Sequence, residues 1–231
     1  MAMVEPAAVL IDFDGTLVDT EPFWMQSEVD ALAAFGVPWT LEQARPLCGT
    51  SREYSQGVLT AQLAAHGVDV GALDPDDFYA DIYGRVIEKI QRFGTPWLPG
   101  VPALLADIAA DGRPCAVVSA SPPSVLAAGL ATVPDGVISA VVNGQMVTES
   151  KPSPEGYLLA ASMLGVDAAG CVVIEDTVSG TAAGRAAGAV VIAVPTMQTI
   201  DVAPGQVIVP SLEGIGLTRL GEIFRQVRGL E

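Results

Sequence analysis

Short apolar runs recur along the chain, each bounded by glycine, proline or polar residues. "AAVLIDFD" (7–14), "CAVVSA" (115–120), "VISAVV" (137–142), "CVVIED" (171–176) and "VVIAV" (190–194) show no polar alternation. Runs of that length and bounding predict strands buried on both faces. Between them lie Ala- and Leu-rich stretches, "VPALLADIAADG", "SVLAAGLATV", "PEGYLLAASMLG" and "SGTAAGRAAG", which are helix-like and often end near glycine. Strand alternating with helix predicts an α/β fold: a Rossmann-like parallel sheet with helices on both faces. "QVIVPSL" adds an edge strand, and an amphipathic helix is expected over about Leu217 to Val227.

One interval breaks the alternation. From about Val18 to Gly94 the patterns are helical, in "MQSEVDALAAFG", "REYSQGVLTAQLAAHG" and "PDDFYADIYGRVIEKIQRFG", with no convincing strand. The expectation is therefore a discontinuous core, residues 1–17 and 95–231, with an inserted all-helical cap over 18–94 and "GTPWLPG" as the return linker. Hinges near Val18–Pro22 and Thr95–Pro99 would let such a cap open and close.

Composition narrows the partners. The chain has 231 residues, half of them hydrophobic, which excludes a disordered chain. A formal net charge of −16 argues against a nucleic-acid or anionic-membrane surface, though not against one small anion bound locally. Cys48, Cys115 and Cys171 are far apart and match no metal spacing, so reduced packing cysteines are expected. No stretch reaches the length of a membrane span, no signal peptide is expected from the N-terminal pattern, and a cytoplasmic monomer is expected.

The chemistry collects at strand ends. In open parallel sheets ligands bind beyond the carboxyl ends of the strands. Asp12 and Asp14 follow the first run, Ser119 the second, and Glu175 and Asp176 the fourth, while Lys151 comes after the third run and a loop. Clustered carboxylates need a cation, and hard oxygen donors without histidine or cysteine favour Mg2+. Lys151, one of only two lysines, is suited to neutralising an aspartate nucleophile and holding a phosphate oxygen. Ser119 and the backbone amides after it are suited to donating to phosphate. Phe13 points away in an extended segment, so Asp12 and Asp14 face one side. Together these groups suggest phosphoryl transfer through an aspartyl-phosphate on Asp12. Asp14 then protonates the leaving alcohol and activates the water.

In order, "DFDGTLVDTEP", "VVSAS", "SKPSP" and "VIEDTVSGTAAGRAAG" resemble the four motifs of the haloacid dehalogenase-like hydrolase superfamily, across residues 12–188. The branch resembled has a helical cap and contains sugar-phosphate phosphatases and beta-phosphoglucomutase. The resemblance implies Asp12 as the phosphorylated nucleophile and Asp14 as general acid/base, with its main-chain carbonyl on Mg2+. It implies phosphate binding by Ser119, Ala120 and Lys151. Asp176 would be a metal ligand, and Glu175 a ligand or an acceptor through water. Gly15, Thr16 and Gly180 match the turns after the acids. The second aspartate disfavours dehalogenase chemistry.

In the cap interval, "CGTSREYS" resembles a mutase segment and makes Arg52 a candidate for a second phosphate, or else a surface arginine at a helix start. "EPFW" resembles a phosphatase hinge, where Glu21 would accept sugar hydroxyls and Trp24 would pack on a ring; each is equally readable as hinge packing. The expected function is a magnesium-dependent phosphatase of a small phosphorylated metabolite, a sugar or polyol phosphate. A beta-phosphoglucomutase-like mutase is the first alternative. A non-catalytic phosphate-sensing or partner-binding module is the second.

Overall fold

All six expected runs become strands, and all pair in parallel: β1 (Ala8–Ile11), β2 (Cys115–Val118), β3 (Ala140–Val142), β4 (Cys171–Glu175), β5 (Val190–Ala193) and β6 (Gln206–Ile208). The computed structural model describes residues 5–230. The sheet order is β3-β2-β1-β4-β5-β6, with β6 at the edge. Parallel neighbours need a crossover between them, and helices supply most of these. The helices of this part are α5 (Val101–Asp111), α7 (Glu155–Met163), α8 (Val178–Ala186) and α9 (Leu217–Arg228).

Strand alternation sorts the core. Ala8, Leu10, Ala116, Val118, Val173 and Val191 share one cluster with Tyr157, Ala160 and Ala161 of α7 and with Ala183 of α8. Gly184 lets α8 lie close, because a Cβ there would stand 2.9 Å from the side chains of Val173 and Val191. Strand residues of opposite parity, such as Val9, Ile11, Val172 and Ile192, are equally buried and point to the other side of the sheet. α9 packs on β5 and β6 and also on α5, burying Leu220, Ile223 and Phe224.

The remaining helices are α1 (Glu21–Ala34), α2 (Leu41–Ala44), α3 (Arg52–Ala65), α4 (Pro75–Phe93) and α6 (Pro123–Leu130). α4 buries Phe78, Ile82, Val86 and Ile90, one residue per turn along a single stripe, with Tyr79 beside it. Ala31, Leu32, Leu59 and Leu63 complete a core separate from the sheet.

The chain divides into two compact units. One ends at Asp19 and resumes over Trp97–Ser121 and Thr132–Glu231; the other comprises Thr20–Pro96 and Pro122–Ala131. The expected interval of 18–94 differs from the second unit by two residues at each end. It differs more by α6, which groups with the helices although it follows β2 directly. Its Val125 packs with Val86 and Ile90 of α4, and Thr95 Oγ1 donates to Gly129 O at 3.1 Å. Among the described residues no helix is long and apolar enough to cross a membrane.

Candidate active site

The order of the sheet reverses about β1, whose neighbours β2 and β4 lead to opposite edges. Just beyond such a switch point lies the usual crevice. Ile11 pairs with Ile174, and the Asp12 amide donates to Ile174 O at 3.0 Å, which brings Asp12 beside Glu175. Asp12, Glu175 and Asp176 are all buried, and a carboxylate oxygen from each lies within 4.8 Å of the others.

Lys151 answers part of that charge. Its Nζ donates to Asp12 Oδ1, to Glu175 Oε1 at 2.5 Å and to Val118 O at 3.2 Å. Burial alone would lower the lysine's pKa, but the two carboxylates overcome it and hold the ammonium charged. Burial is likewise the largest influence on Asp12; with Glu175 and Asp176 it pushes that carboxyl up, while Lys151 opposes it. Asp176 rises to about 6 through burial and the Glu175 charge. Hydrogen bonds from Thr196 Oγ1 (2.7 Å) and Thr16 Oγ1 (3.1 Å) work the other way. Gly15 is required beside it: φ is +78°, and a Cβ would stand 2.3 Å from Asp176 Oδ2.

Glu175 is the most enclosed of the three acids. Oε1 accepts from Lys151 and from the Tyr157 hydroxyl at 2.7 Å. Oε2 accepts from the Asp176 amide (3.1 Å), the Thr177 amide (3.2 Å) and Thr177 Oγ1 (3.0 Å). Gly180 leaves room for it, since a Cβ there would lie 1.8 Å from Oε1.

Asp14 stands apart from this cluster. Its Oδ2 accepts from Ser121 Oγ at 2.6 Å and from Ser119 Oγ at 3.3 Å, and its backbone bridges to Val18. The Ser119 amide continues the sheet by donating to Val142 O at 3.0 Å. Ala120 lies next to Gly144, whose Cβ would meet the Ala120 carbonyl oxygen at 2.6 Å. The structure thus brings Asp12, Asp14, Ser119, Ala120, Lys151, Glu175 and Asp176 together in one unit, from the ends of β1, β2 and β4 and the loop before α7.

Glu21, Trp24 and Arg52 belong to the helical unit. Glu21 is buried at the first position of α1. Trp24 is half-buried and stacks edge-on against Tyr83, with ring centroids 5.9 Å apart. Arg52, first residue of α3, pairs with Asp76, and its guanidinium carbon lies 5.0 Å from the Tyr79 ring centroid. For Arg52 the contacts are therefore pairing and packing within that unit.

Sequence reasoning missed five contributors, among them Thr177, which stands unremarked inside the last motif and donates twice to Glu175. Thr196 follows β5 and so obeys the same strand-end rule that found the acids. Ser121 stands in the "SAS" segment but was not separated from its neighbours. Thr16 was noted only as part of a turn. Tyr157 gives no signal, because one hydroxyl in an apolar helix reads as core.

Three carboxylates against one ammonium, all with hard oxygen donors, fit a divalent cation at Asp12, Glu175 and Asp176. The model of the haloacid dehalogenase-like hydrolase family matches residues 6–188. The chain is 30% identical over 206 residues to the protein CbbY of Rhodobacter capsulatus, covering 85% of this chain and 88% of that one. It is 31% identical over 191 residues to hexitol phosphatase B of Escherichia coli, covering 81% and 83%. The crystal structure of CbbY from Rhodobacter sphaeroides in complex with xylulose-(1,5)bisphosphate superposes with a TM-score of 0.81 at 26% identity, over 93% of this chain and 99% of that one. The chain belongs to the haloacid dehalogenase-like hydrolase family and is an enzyme of its phosphatase type.

Proposed function

We propose that this enzyme hydrolyses the phosphate monoester of a small sugar or polyol, with Mg2+, through an aspartyl-phosphate on Asp12. The observation that carries the reading is Lys151 held between Asp12 and Glu175, with Asp176 completing the acid cluster. The substrate class is supported by relatives named for a hexitol phosphatase and solved with a sugar bisphosphate.

Asp12 attacks phosphorus while Asp14 passes its proton to the departing ester oxygen. Asp14 then takes a proton from water as that water displaces Asp12 from phosphorus. Lys151 and Ser119, with the Ala120 amide, hold the transferring phosphate. Asp12 and Asp176, together with the Asp14 carbonyl, would hold Mg2+, which supplies neutralising charge to the phosphate oxygens when bound. Glu175, already accepting five hydrogen bonds, supports Lys151 from behind and would meet the metal through water rather than directly. Glu21 and Trp24 remain the candidates for recognising the sugar or polyol. The mutase alternative asks Arg52 to take a second phosphate, and its partnership with Asp76 and Tyr79 speaks against that.

The test is phosphate release from a panel of sugar and polyol phosphates with and without magnesium. Magnesium-dependent release that is lost in Asp12→Asn is the expected result. Normal turnover by Asp12→Asn would sink the mechanism. Conversion of glucose 1-phosphate to glucose 6-phosphate without net release would restore the mutase.

A further inference from the structure

The lysine on which the reaction depends sits near the end of a long loop. Between β3 and α7 the chain runs from Asn143 to Pro154 without helix or strand. Just before Lys151, the residues Thr148, Glu149 and Ser150 are exposed, and Val147 supplies this segment's contact with the sheet core. Beneath the loop lies a pocket lined by Val147, Ser150 and Lys151, with Val118 of β2 and Tyr157 of α7. Packing therefore does little to fix the backbone that carries Lys151. Hydrogen bonds must fix it, because Nζ has to meet Asp12, Glu175 and Val118 O at once.

Glu155, the first residue of α7, makes such bonds. Its Oε1 accepts from the Thr148 amide at 2.9 Å and its Oε2 from the Glu149 amide at 2.8 Å, seven and six residues back along the chain. Bonds from amides to an ionised carboxylate are roughly twice as strong as neutral ones. The loop's other bonds are local: Asn143 Oδ1 accepts from the Gln145 amide at 2.9 Å, and Ser150 O from the Ser153 amide at 3.0 Å. The two bonds of Glu155 instead tie the residues before Lys151 to a helix packed on β2 and β3. We infer that Glu155 is a positioning residue for Lys151: its carboxylate clamps the Thr148–Glu149 backbone to α7 and so sets Nζ where it can hold the transferring phosphate. The inference rests on the phosphatase reading above. An acid in a first helical turn also steadies the helix dipole, but that role alone would leave Lys151 and phosphate affinity unchanged.

Glu155→Gln keeps the size of the side chain but offers one acceptor oxygen, and its NH2 turns a donor toward the second amide. A loop that presents Lys151 only part of the time weakens phosphate binding by that fraction. The inhibition constant of inorganic phosphate, measured with magnesium against the best ester of the panel, is expected to rise about fivefold in Glu155→Gln and about tenfold in Glu155→Ala. The chain's two lysines, Lys89 and Lys151, allow a direct view of the second effect. Lysine enriched at Cε with an NMR-active carbon gives one side-chain signal for each, and Lys89→Arg assigns them. In both Glu155 variants the Lys151 signal is expected to move toward the position of free lysine while the Lys89 signal stays.

Either readout at its wild-type value overturns the inference, leaving Glu155 a helix-end charge and the phosphatase intact. The glutamine variant, nearly isosteric, carries the test if the alanine variant fails to fold. Failure of the wild type to release phosphate from any ester overturns the phosphatase reading and the inference with it.

Discussion

Glu175 and Asp176 are adjacent in sequence and end the same strand, yet their surroundings give them different work. Glu175 is surrounded by donors, whereas Asp176 accepts from two threonine hydroxyls and still suffers the charge beside it. Its pKa, raised to about 6, means the folded state holds a proton that the unfolded chain has already released. Stability from this group is thus full below its ordinary value near 3.8 and is lost as pH rises to about 6. Above that, an ionised Asp176 costs the metal-free protein about 3 kcal/mol. Asp176→Asn is therefore expected to raise the melting temperature without magnesium. It should also abolish the increase that magnesium produces in the wild type, an increase worth about 2.7 kcal/mol at one hundred times the dissociation constant. Thermal melts at pH 7 with and without the ion check both signs, and a variant that still gains stability from magnesium would remove Asp176 from the metal site. The acids were legible in the sequence because charge at the end of an apolar run is conspicuous. Tyr157 and Ser121 were not, since a hydroxyl costs little to bury once it finds an acceptor, and the acceptor lies far away along the chain.

At the scale of elements, a cap couples the last strand of the site to its helix. Thr177 precedes α8 in an extended conformation, and its Oγ1 accepts from the Gly180 amide at 3.0 Å. The same hydroxyl donates to Glu175 Oε2, so one side chain closes the helix end and holds the buried acid. Thr177→Ala removes both bonds and is expected to cost about 2 kcal/mol, the upper part of the range for an N-cap. It should also lower turnover, because Glu175 in turn supports Lys151. Thr177→Ser should recover both stability and rate. Urea unfolding followed with kinetics on the three proteins checks this; a stability loss with unchanged kcat would confine Thr177 to capping. The strands were legible because each is an unbroken apolar run, and α4 because its apolar residues recur one turn apart. The grouping of α6 was not, since its sequence says which residues are apolar and nothing about which helix they meet. A rule based on alternation assigns it to the sheet, and packing of Val125 against Val86 and Ile90 decides otherwise.

Two compact units in one chain give the whole molecule two cores to keep stable, and an acid is buried in the helical one. Glu28 on α1 is only 7% exposed, and its Oε2 has no hydrogen-bond partner; the Tyr79 hydroxyl of α4 is in the same condition. Burial, with a smaller push from Glu21, raises the Glu28 carboxyl to about 8. Its charge also reaches Cys48 and Tyr79, both of which burial pushes up first. The folded protein keeps this proton where the unfolded chain loses it near the ordinary value of 4.5. Stability from Glu28 is accordingly full below about 4.5 and falls as pH rises to about 8, by about 1.4 kcal/mol per pH unit. Trp24 and Trp39 lie in the helical unit and Trp97 in the other, so a Trp97→Phe background lets tryptophan fluorescence follow the helical unit alone. In that background, urea midpoints should decline from pH 5 to pH 8 for the parent, and Glu28→Gln should flatten the decline and exceed the parent at pH 8. Unfolding of one unit before the other would give two transitions, a departure from two-state behaviour expected of such chains. Parallel pH curves for parent and variant would show that Glu28 is already ionised in the fold, and that the buried carboxylate is compensated by a partner acquired in solution.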